Sequence, residues 1–257
     1  MNKSQFKIIT RILITILLGT LALILYTQGV SKFTDETSFM SIPIIIGFMV
    51  ITTLFSLLIL FKIKWLFEIG EWLSFIFIST MFILMIFSFF LLPSNVNQSS
   101  MFPTLENGDR ILIYHYNYEP VKEDIVVVEM DQETYPNIPN DAVDDQDNPV
   151  TYYVKRLKGM PGDTLTFERT QLLSENFFIK INGEYVESPT SLKYTLTNIQ
   201  RLYIVAQLEN NIIPEAMYFV LGDNSVSSLD SRGFGLVFEE DLMGKVIYGL
   251  WPFGRIS

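Results

Sequence analysis

The chain has 257 residues, of which 49% are hydrophobic, and its formal net charge at pH 7 is −10. From Asn97 to Ser257 it carries 12 Lys and Arg against 24 Asp and Glu, a net charge of −12, which argues against a nucleic-acid-binding surface. With no cysteine and one histidine, the chain excludes a cysteine nucleophile, a disulfide framework and a zinc site built on paired histidines.

Three uncharged, strongly apolar runs occupy the first 93 residues, at positions of about 12–31, 40–61 and 72–93. Each run is long enough for a helix to cross a hydrocarbon core of about 30 Å, so we predict three transmembrane helices. A cleaved signal peptide is the alternative for the first run. That run exceeds a usual signal core of about 7–15 residues, lacks a small-residue cleavage site at its end and is followed by two more runs.

Lys and Arg in the short flanking segments predict the orientation of these helices. The segments before the first run and after the second are basic, with Lys3, Lys7, Arg11, Lys62 and Lys64. The loop between them has only Lys32, beside Asp35 and Glu36. We therefore expect a cytoplasmic N-terminus, a multi-pass anchor of residues 1–93 in the plasma membrane, and an extracytoplasmic domain of residues 94–257.

Beyond residue 94 the pattern changes to short alternating segments separated by turn signals. We predict strands within 109–114, 125–130, 151–157, 165–168, 177–181, 184–186, 203–208, 218–221 and 245–251. Asn182-Gly183 predicts a tight hairpin between two of them. This pattern favours a mainly-β domain, an antiparallel sheet or barrel.

The acidic segment 131–149 contains three prolines and reads as a solvated surface loop. Calcium binding is the alternative for this segment. The segment shows no regular ligand spacing with a central glycine, so the loop is the preferred interpretation.

A candidate nucleophile, Ser100, opens the polar region in the specific string Ser-Met-Phe-Pro-Thr-Leu, for which an ordinary loop after a helix is the alternative. A hydroxyl needs a base, and in a chain with no cysteine and one histidine a lysine amine is the natural option. Lys155 lies on an apolar strand, where burial would pull its pKa down from about 10.4. Strand alternation places Lys155 on the face of Tyr153 and Leu157, which favours a buried amine over an exposed one.

Five stretches, in order, carry a resemblance to a known family. They are Ser100-Met-Phe-Pro-Thr-Leu, Gly108-Asp-Arg-Ile-Leu-Ile, Tyr153-Val-Lys-Arg-Leu-Lys-Gly-Met-Pro-Gly-Asp, Gly222-Asp-Asn-Ser-Val-Ser-Ser-Leu-Asp-Ser-Arg, and Gly244-Lys-Val through Trp251-Pro252. The chain resembles the type I signal peptidases, which are membrane-bound serine proteases, over residues of about 97–257.

The resemblance implies roles for individual residues. Ser100 matches the nucleophile, Lys155 the general base and Ser228 the serine that hydrogen-bonds and orients the lysine. Asp230 and Arg232 match a structural ion pair near the site. Shallow pockets for the small residues before the cut would be lined by Met101, Leu105, Tyr153 and Val154. The resemblance implies no metal and no cofactor, and we expect His115 to be a surface or interface residue rather than a catalytic base.

Two positions depart from the family pattern. Many members have Ser or Gly two residues before the nucleophile, where this chain has Gln98. The Ser100 backbone N–H is then one candidate donor of an oxyanion hole, and the Gln98 amide is a candidate for the second. The family usually has Arg after Gly-Asp-Asn, where this chain has Ser225. The lost charge could loosen the loop that carries Ser228.

We therefore expect an endopeptidase that removes signal peptides of the Ala-x-Ala type from exported preproteins at the outer surface of the cytoplasmic membrane. Its partners would be preproteins, the lipid bilayer and the secretion translocon. The alternative is a non-catalytic relative that acts as an accessory or chaperone factor in surface-protein or pilus assembly. A membrane-anchored adhesion domain would leave the five ordered motifs unexplained.

Overall fold

The computed structural model describes residues 89–138, 150–251 and 253–254 without a break, together with single helical residues and short groups between positions 9 and 87. The chain divides into two compact units. One comprises residues 1–92 with 115–117, and the other comprises residues 93–114 with 118–257.

The N-terminal unit is α-helical at its described positions before residue 90, which fall within or beside all three apolar runs. Large apolar side chains there are exposed, among them Leu17, Trp72 and Phe75. No helix among the described residues is long and apolar enough to span a membrane. Most of the first two predicted spans lies outside the described residues.

The end of the third run differs from the prediction. Phe89 is the last helical residue, and strand β1 (Leu91–Asn95) contains Pro93, which is the last residue of the predicted third helix. β1 is the first strand of its sheet and has a partner on one side only. A proline, which has no N–H to donate, is tolerated on such an edge strand.

The C-terminal unit contains two antiparallel sheets. The larger sheet has the order β1-β2-β11-β3-β4-β9-β10, with β12 paired to β11. Its further strands are β2 (Arg110–Tyr114), β3 (Ile125–Asp131), β4 (Val150–Gly159), β9 (Met217–Leu221), β10 (Val237–Phe238), β11 (Leu242–Trp251) and β12 (Phe253–Gly254). The predicted mainly-β, antiparallel domain is confirmed. Residues 139–149 of the predicted acidic loop lie outside the described residues.

The smaller sheet has the order β5-β6-β7, with β8 paired to β6. Its strands are β5 (Leu165–Arg169), β6 (Asn176–Ile181), β7 (Glu184–Tyr185) and β8 (Thr195–Thr197). The predicted hairpin turn between β6 and β7 is confirmed, because Asn182 and Gly183 have φ of 52° and 85°. Positive φ at both central residues is what a type I′ turn requires.

The predicted strand 203–208 is wrong, because helix α1 (Asn198–Val205) occupies this segment. Its β-branched and aromatic residues favoured a strand, but Thr197 and Gln200 form a capping box that starts a helix before them. The helix then buries Ile204 in the core beside the small sheet. A second short helix, α2 (Ser231–Phe234), is capped by Asp230, and a 3₁₀ turn covers Glu239–Asp241.

Strand β9 lies between two hydrophobic cores. Tyr218 and Val220 belong to the core of the large sheet, whereas Phe219 and Leu221 belong to the core of the small sheet. Successive strand residues point to opposite faces, so these four residues connect both cores. Ser228, Asp230 and Arg232 follow this strand in the chain, so their segment starts from a strand that packs into both cores.

Candidate active site

The candidate nucleophile lies in a tight turn after β1. Within this turn Phe102 N–H donates to the Ser99 carbonyl at 3.1 Å and Leu105 N–H donates to the Met101 carbonyl at 3.0 Å. Met101 and Leu105 are buried and anchor the turn in the domain. Ser100 is therefore presented from a loop whose apolar side chains are fixed.

Lys155 lies in the middle of β4, opposite Val126 of β3. Its side chain is 1% exposed, so the prediction of a buried lysine is confirmed. Its Nζ donates a hydrogen bond to Ser100 Oγ at 2.8 Å and lies 5.3 Å from the centre of the Tyr153 ring. The structure thus brings together a hydroxyl and an amine that are 55 residues apart.

Burial lowers the pKa of Lys155 from 10.5 to about 8, because a buried ammonium loses its hydration. Nearby charges modify this effect. The carboxylates of Asp230 and Asp223 raise the pKa, and the Arg232 guanidinium lowers it. A pKa of about 8 leaves part of the amine neutral, and able to accept a proton, near neutral pH.

Asp230 and Arg232 form a buried, bidentate ion pair. Arg232 Nε and Nη2 donate to the two Asp230 oxygens at 2.8 Å each. Asp230 Oδ2 also accepts from Gly222 N–H at 3.1 Å, which joins the pair to the end of β9. Arg232 Nη1 donates to the Ser225 carbonyl at 2.8 Å. Ser225 stands where the family usually has Arg. Its backbone carbonyl ties this loop to the ion pair by accepting the hydrogen bond from Arg232.

A second buried ion pair joins Arg156 and Asp223, and its role was missed in the sequence. Arg156 Nε and Nη2 donate to Asp223 Oδ1 and Oδ2 at 2.8 and 2.7 Å. The Thr104 hydroxyl donates to the same carboxylate. The sequence holds no local signal for this pairing, because Arg156 lies beside another cation, Lys155, and Asp223 begins a polar segment.

Ser228 lies against the backbone of Gly222. A Cβ added at Gly222 would lie 2.1 Å from Ser228 Oγ and 2.6 Å from the Ser100 carbonyl, so glycine is required there. Within the described part of the chain, the buried Ser228 Oγ makes no hydrogen bond. The expected hydrogen bond to Lys155 is thus not formed in this structure, and the orienting role of Ser228 stays a prediction.

The predicted pocket residues differ in their exposure. Tyr153, like Met101 and Leu105, is buried, and its ring centre lies 6.4 Å from that of Phe234. Val154 is half-buried. Gln98, the candidate oxyanion donor, is exposed with φ of 83°, and its backbone N–H donates to Asn107 Oδ1 at 2.9 Å. Its own N–H is therefore engaged, and only its side-chain amide remains a candidate donor.

Of the two placements expected for His115, surface or interface, the surface is wrong, because the residue is 2% exposed. His115 follows β2 directly and belongs to the N-terminal unit, where its backbone N–H donates to the Phe90 carbonyl at 3.2 Å. Burial lowers the pKa of His115 from 6.5 to about 4, so its ring is neutral at pH 7. Among the described residues, no group of His, Asp and Glu side chains could hold a metal ion.

A hydroxyl in contact with a buried amine of lowered pKa defines the site of a serine hydrolase that uses lysine as its base.

The family model "Signal peptidase, peptidase S26" matches residues 69–251. Signal peptidase IB of Staphylococcus aureus (strain COL) is 31% identical over 203 residues, which cover 74% of this chain and 93% of that protein. Signal peptidase I of Bacillus licheniformis is 32% identical over 195 residues, covering 72% and 90%.

Among solved structures, the crystal structure of a signal peptidase I from Enterococcus faecalis V583 matches with a TM-score of 0.30 at 25% identity. The match covers 50% of this chain and 97% of that one. The family match and the identities establish the family. The chain belongs to the type I signal peptidase family, and it is a serine endopeptidase.

Proposed function

We propose that Ser100 and Lys155 are the catalytic dyad with which this peptidase removes signal peptides from exported preproteins. The observation that carries the proposal is the 2.8 Å hydrogen bond between Lys155 Nζ and Ser100 Oγ. The burial of Lys155 and its pKa of about 8 support the role of a base.

The dyad would act by nucleophilic catalysis. Neutral Lys155 accepts the proton of Ser100 Oγ–H while Oγ attacks the scissile carbonyl carbon, and the resulting ammonium then protonates the leaving amine. The acyl group stays on Oγ as an ester. A water molecule gives a proton to Lys155 and attacks this ester, which releases the signal peptide and returns the proton to Oγ.

The carbonyl oxygen becomes negatively charged in both tetrahedral intermediates and needs hydrogen-bond donors. The Ser100 backbone N–H is the first candidate donor, and the Gln98 side-chain amide is the second. Ser228, whose buried Oγ lies against Gly222, is the candidate residue that orients Lys155. Asp230 and Arg232 would support the loop of Ser228 as a structural pair.

Specificity for small residues before the cut, of the Ala-x-Ala type, would come from Met101, Leu105, Tyr153 and Val154. Met101, Leu105 and Tyr153 are buried and Val154 is half-buried, so any pocket wall that they form is largely apolar. An apolar wall suits an apolar residue such as alanine.

The remaining proposals concern the membrane. Residues 1–93 would form a three-helix anchor, and residues 94–257 an extracytoplasmic catalytic domain. The uncharged runs, the helical residues with exposed apolar side chains, and the basic flanks support this arrangement. The N-terminus would be cytoplasmic, and the enzyme would meet preproteins as they leave the secretion translocon within the lipid bilayer.

A non-catalytic accessory role is not favoured. Such relatives lack the serine or the lysine, whereas here both are present and their side chains are in contact. The similar proteins are also named as signal peptidases.

The test is processing of a purified preprotein with an Ala-x-Ala site by the full chain in detergent. Mass spectrometry should find one cut directly after that site with wild type and none with Ser100→Ala. Equal processing by Ser100→Ala would disprove the proposed nucleophile, and an inactive wild type would favour the accessory role.

A further inference from the structure

Two polar residues, Asn224 and Thr104, hold the turn that carries Ser100. We infer that both are positioning residues for the nucleophile: together with Asp223 they clamp its turn to strand β4, which carries the base. This inference rests on the proposed dyad. The clamp is defined by the side chains of Thr104, Asp223 and Asn224.

Asn224 contacts the turn of the nucleophile twice. Its backbone N–H donates to the Ser100 carbonyl at 3.0 Å, and its Nδ2 donates to the Ser99 carbonyl at 3.1 Å. Its Oδ1 accepts from Ser227 N–H at 3.1 Å, which fixes the orientation of the amide. Two successive carbonyls, including that of the nucleophile itself, are therefore held by one residue.

Asp223 extends the clamp to the strand of the base. Its buried carboxylate binds the guanidinium of Arg156, the residue after Lys155, and accepts a hydrogen bond from the Thr104 hydroxyl. Arg156 Nη1 also donates to the Glu123 carbonyl at 3.0 Å. The Asp223 carboxylate thus connects Thr104, in the turn that carries Ser100, to Arg156 on β4.

This clamp matters because Ser100 and Lys155 come from different elements. Ser100 lies in a turn outside any strand, and only its surroundings set the distance from Oγ to Nζ. A misplacement of about 1 Å at reacting atoms can cost about a hundredfold in rate. Since the clamp acts on the nucleophile, its loss should lower kcat more than it raises KM.

Neither Asn224 nor Thr104 hydrogen-bonds to Lys155 Nζ in the described part of the chain. The pKa of the base should therefore be unchanged when either side chain is shortened. A residue that merely supports the fold would lower the folded fraction and leave kcat per folded enzyme unaltered. These expectations distinguish a positioning role from an effect on the pKa of Lys155 and from mere support of the fold.

The first test is Asn224→Ala in the full chain, assayed in detergent with the Ala-x-Ala preprotein. We expect kcat to fall about tenfold or more, KM to stay within about threefold, and the acid limb of kcat/KM against pH to stay in place. The matched control is Asn198→Ala, which also removes an amide side chain, one whose Oδ1 accepts hydrogen bonds from Arg201 at an exposed position of α1. Its kcat should equal that of wild type.

The second test removes only the hydroxyl of Thr104. Thr104→Val keeps the shape of the side chain and loses its hydrogen bond to Asp223, so kcat should fall at least about fivefold. Thr104→Ser keeps the hydroxyl and should restore kcat to within about twofold of wild type. If Asn224→Ala fails to fold, the comparison of Thr104→Val with Thr104→Ser tests the inference by itself.

A wild-type kcat in folded Asn224→Ala and Thr104→Val, with only a lower melting temperature, would overturn the inference. So would a shifted acid limb, because the residues would then act through the base. Ser100→Ala, run in parallel, keeps the two proposals apart. If that variant is inactive while both clamp variants are normal, the dyad stands and the clamp alone is wrong.

Discussion

Arg156 binds Asp223 through two parallel hydrogen bonds of 2.8 and 2.7 Å, one residue along β4 from Lys155. Alternation along the strand sends the two neighbouring cations to opposite faces. Arg156 is paired with a carboxylate and stays charged, whereas Lys155 contacts a neutral hydroxyl and has a lowered pKa. The sheet thus separates a structural cation from a reactive amine within one dipeptide.

The burial of Lys155 should make the protein less stable than an apolar variant at neutral pH. A folded-state pKa of about 8, below the unfolded value of 10.5, means that the folded protein binds this proton less tightly than the unfolded chain. Stability should rise as pH increases from about 8 to about 10.5 and should be lowest below pH 8. Lys155→Met should therefore raise the free energy of unfolding at pH 6.5 by up to about 3 kcal/mol.

The measurement is chemical unfolding of the full chain in detergent at pH 6.5 and pH 10.5. The difference between Lys155→Met and wild type should shrink at the higher pH. A difference that does not change with pH would contradict the depressed pKa of Lys155.

Removing Arg232 should leave the buried carboxylate of Asp230 without its partner. Arg232→Gln should therefore lower the free energy of unfolding by about 3–5 kcal/mol. It should also move the acid limb of kcat/KM to higher pH, because the Arg232 charge lowers the pKa of Lys155 and Asp230 raises it. Unfolding and pH–rate measurements on the same preparation check both effects, and an acid limb at lower pH would contradict the electrostatic account.

Gly222→Ala should abolish activity, because the new Cβ would lie 2.6 Å from the Ser100 carbonyl and 2.1 Å from Ser228 Oγ. The control is Gly162→Ala, whose Cβ would meet no atom within 4 Å although its φ is +85°. That control should cost only about 1 kcal/mol of backbone strain and keep full activity. Normal processing by Gly222→Ala would show that the contact at the nucleophile can relax.

Parts of the fold follow from local patterns. The β-branched run of β3, the Asn182-Gly183 turn and the apolar strand around Lys155 all have local signatures, and the structure agrees with each. Helix α1 was missed because a capping box outweighed the strand preference of Tyr203, Ile204 and Val205. The Thr197-x-x-Gln200 spacing was the local signal that could have identified the helix.

In the candidate site, too, some residues could be predicted from the sequence and others could not. Ser100 and Lys155 could be singled out from motif and from the scarcity of alternative bases. The pair of Arg156 and Asp223 could not, because its partners are 67 residues apart and meet only once β4 and β9 are adjacent. The double contact of Asn224 with the nucleophile's turn likewise joins residues more than a hundred positions apart, so only the fold reveals it.

The proposed topology predicts where fused reporters are active. A reporter after Ser257 should work only outside the cytoplasm, and one near Lys64 only inside. The reason is that basic flanking segments, here Lys62 and Lys64, stay in the cytoplasm. Paired reporters that require opposite compartments measure this directly. A cytoplasmic C-terminus would separate the catalytic domain from the cleavage sites of exported preproteins.

The dependence of kcat/KM on pH tests the role of Lys155 as the base most directly. The account predicts a rise through a pKa of about 8 in wild type, an unchanged profile in His115→Ala, and no activity in Lys155→Arg, since a guanidinium stays protonated at any working pH. An acid limb that shifts in His115→Ala, or an active Lys155→Arg, would contradict the serine–lysine mechanism.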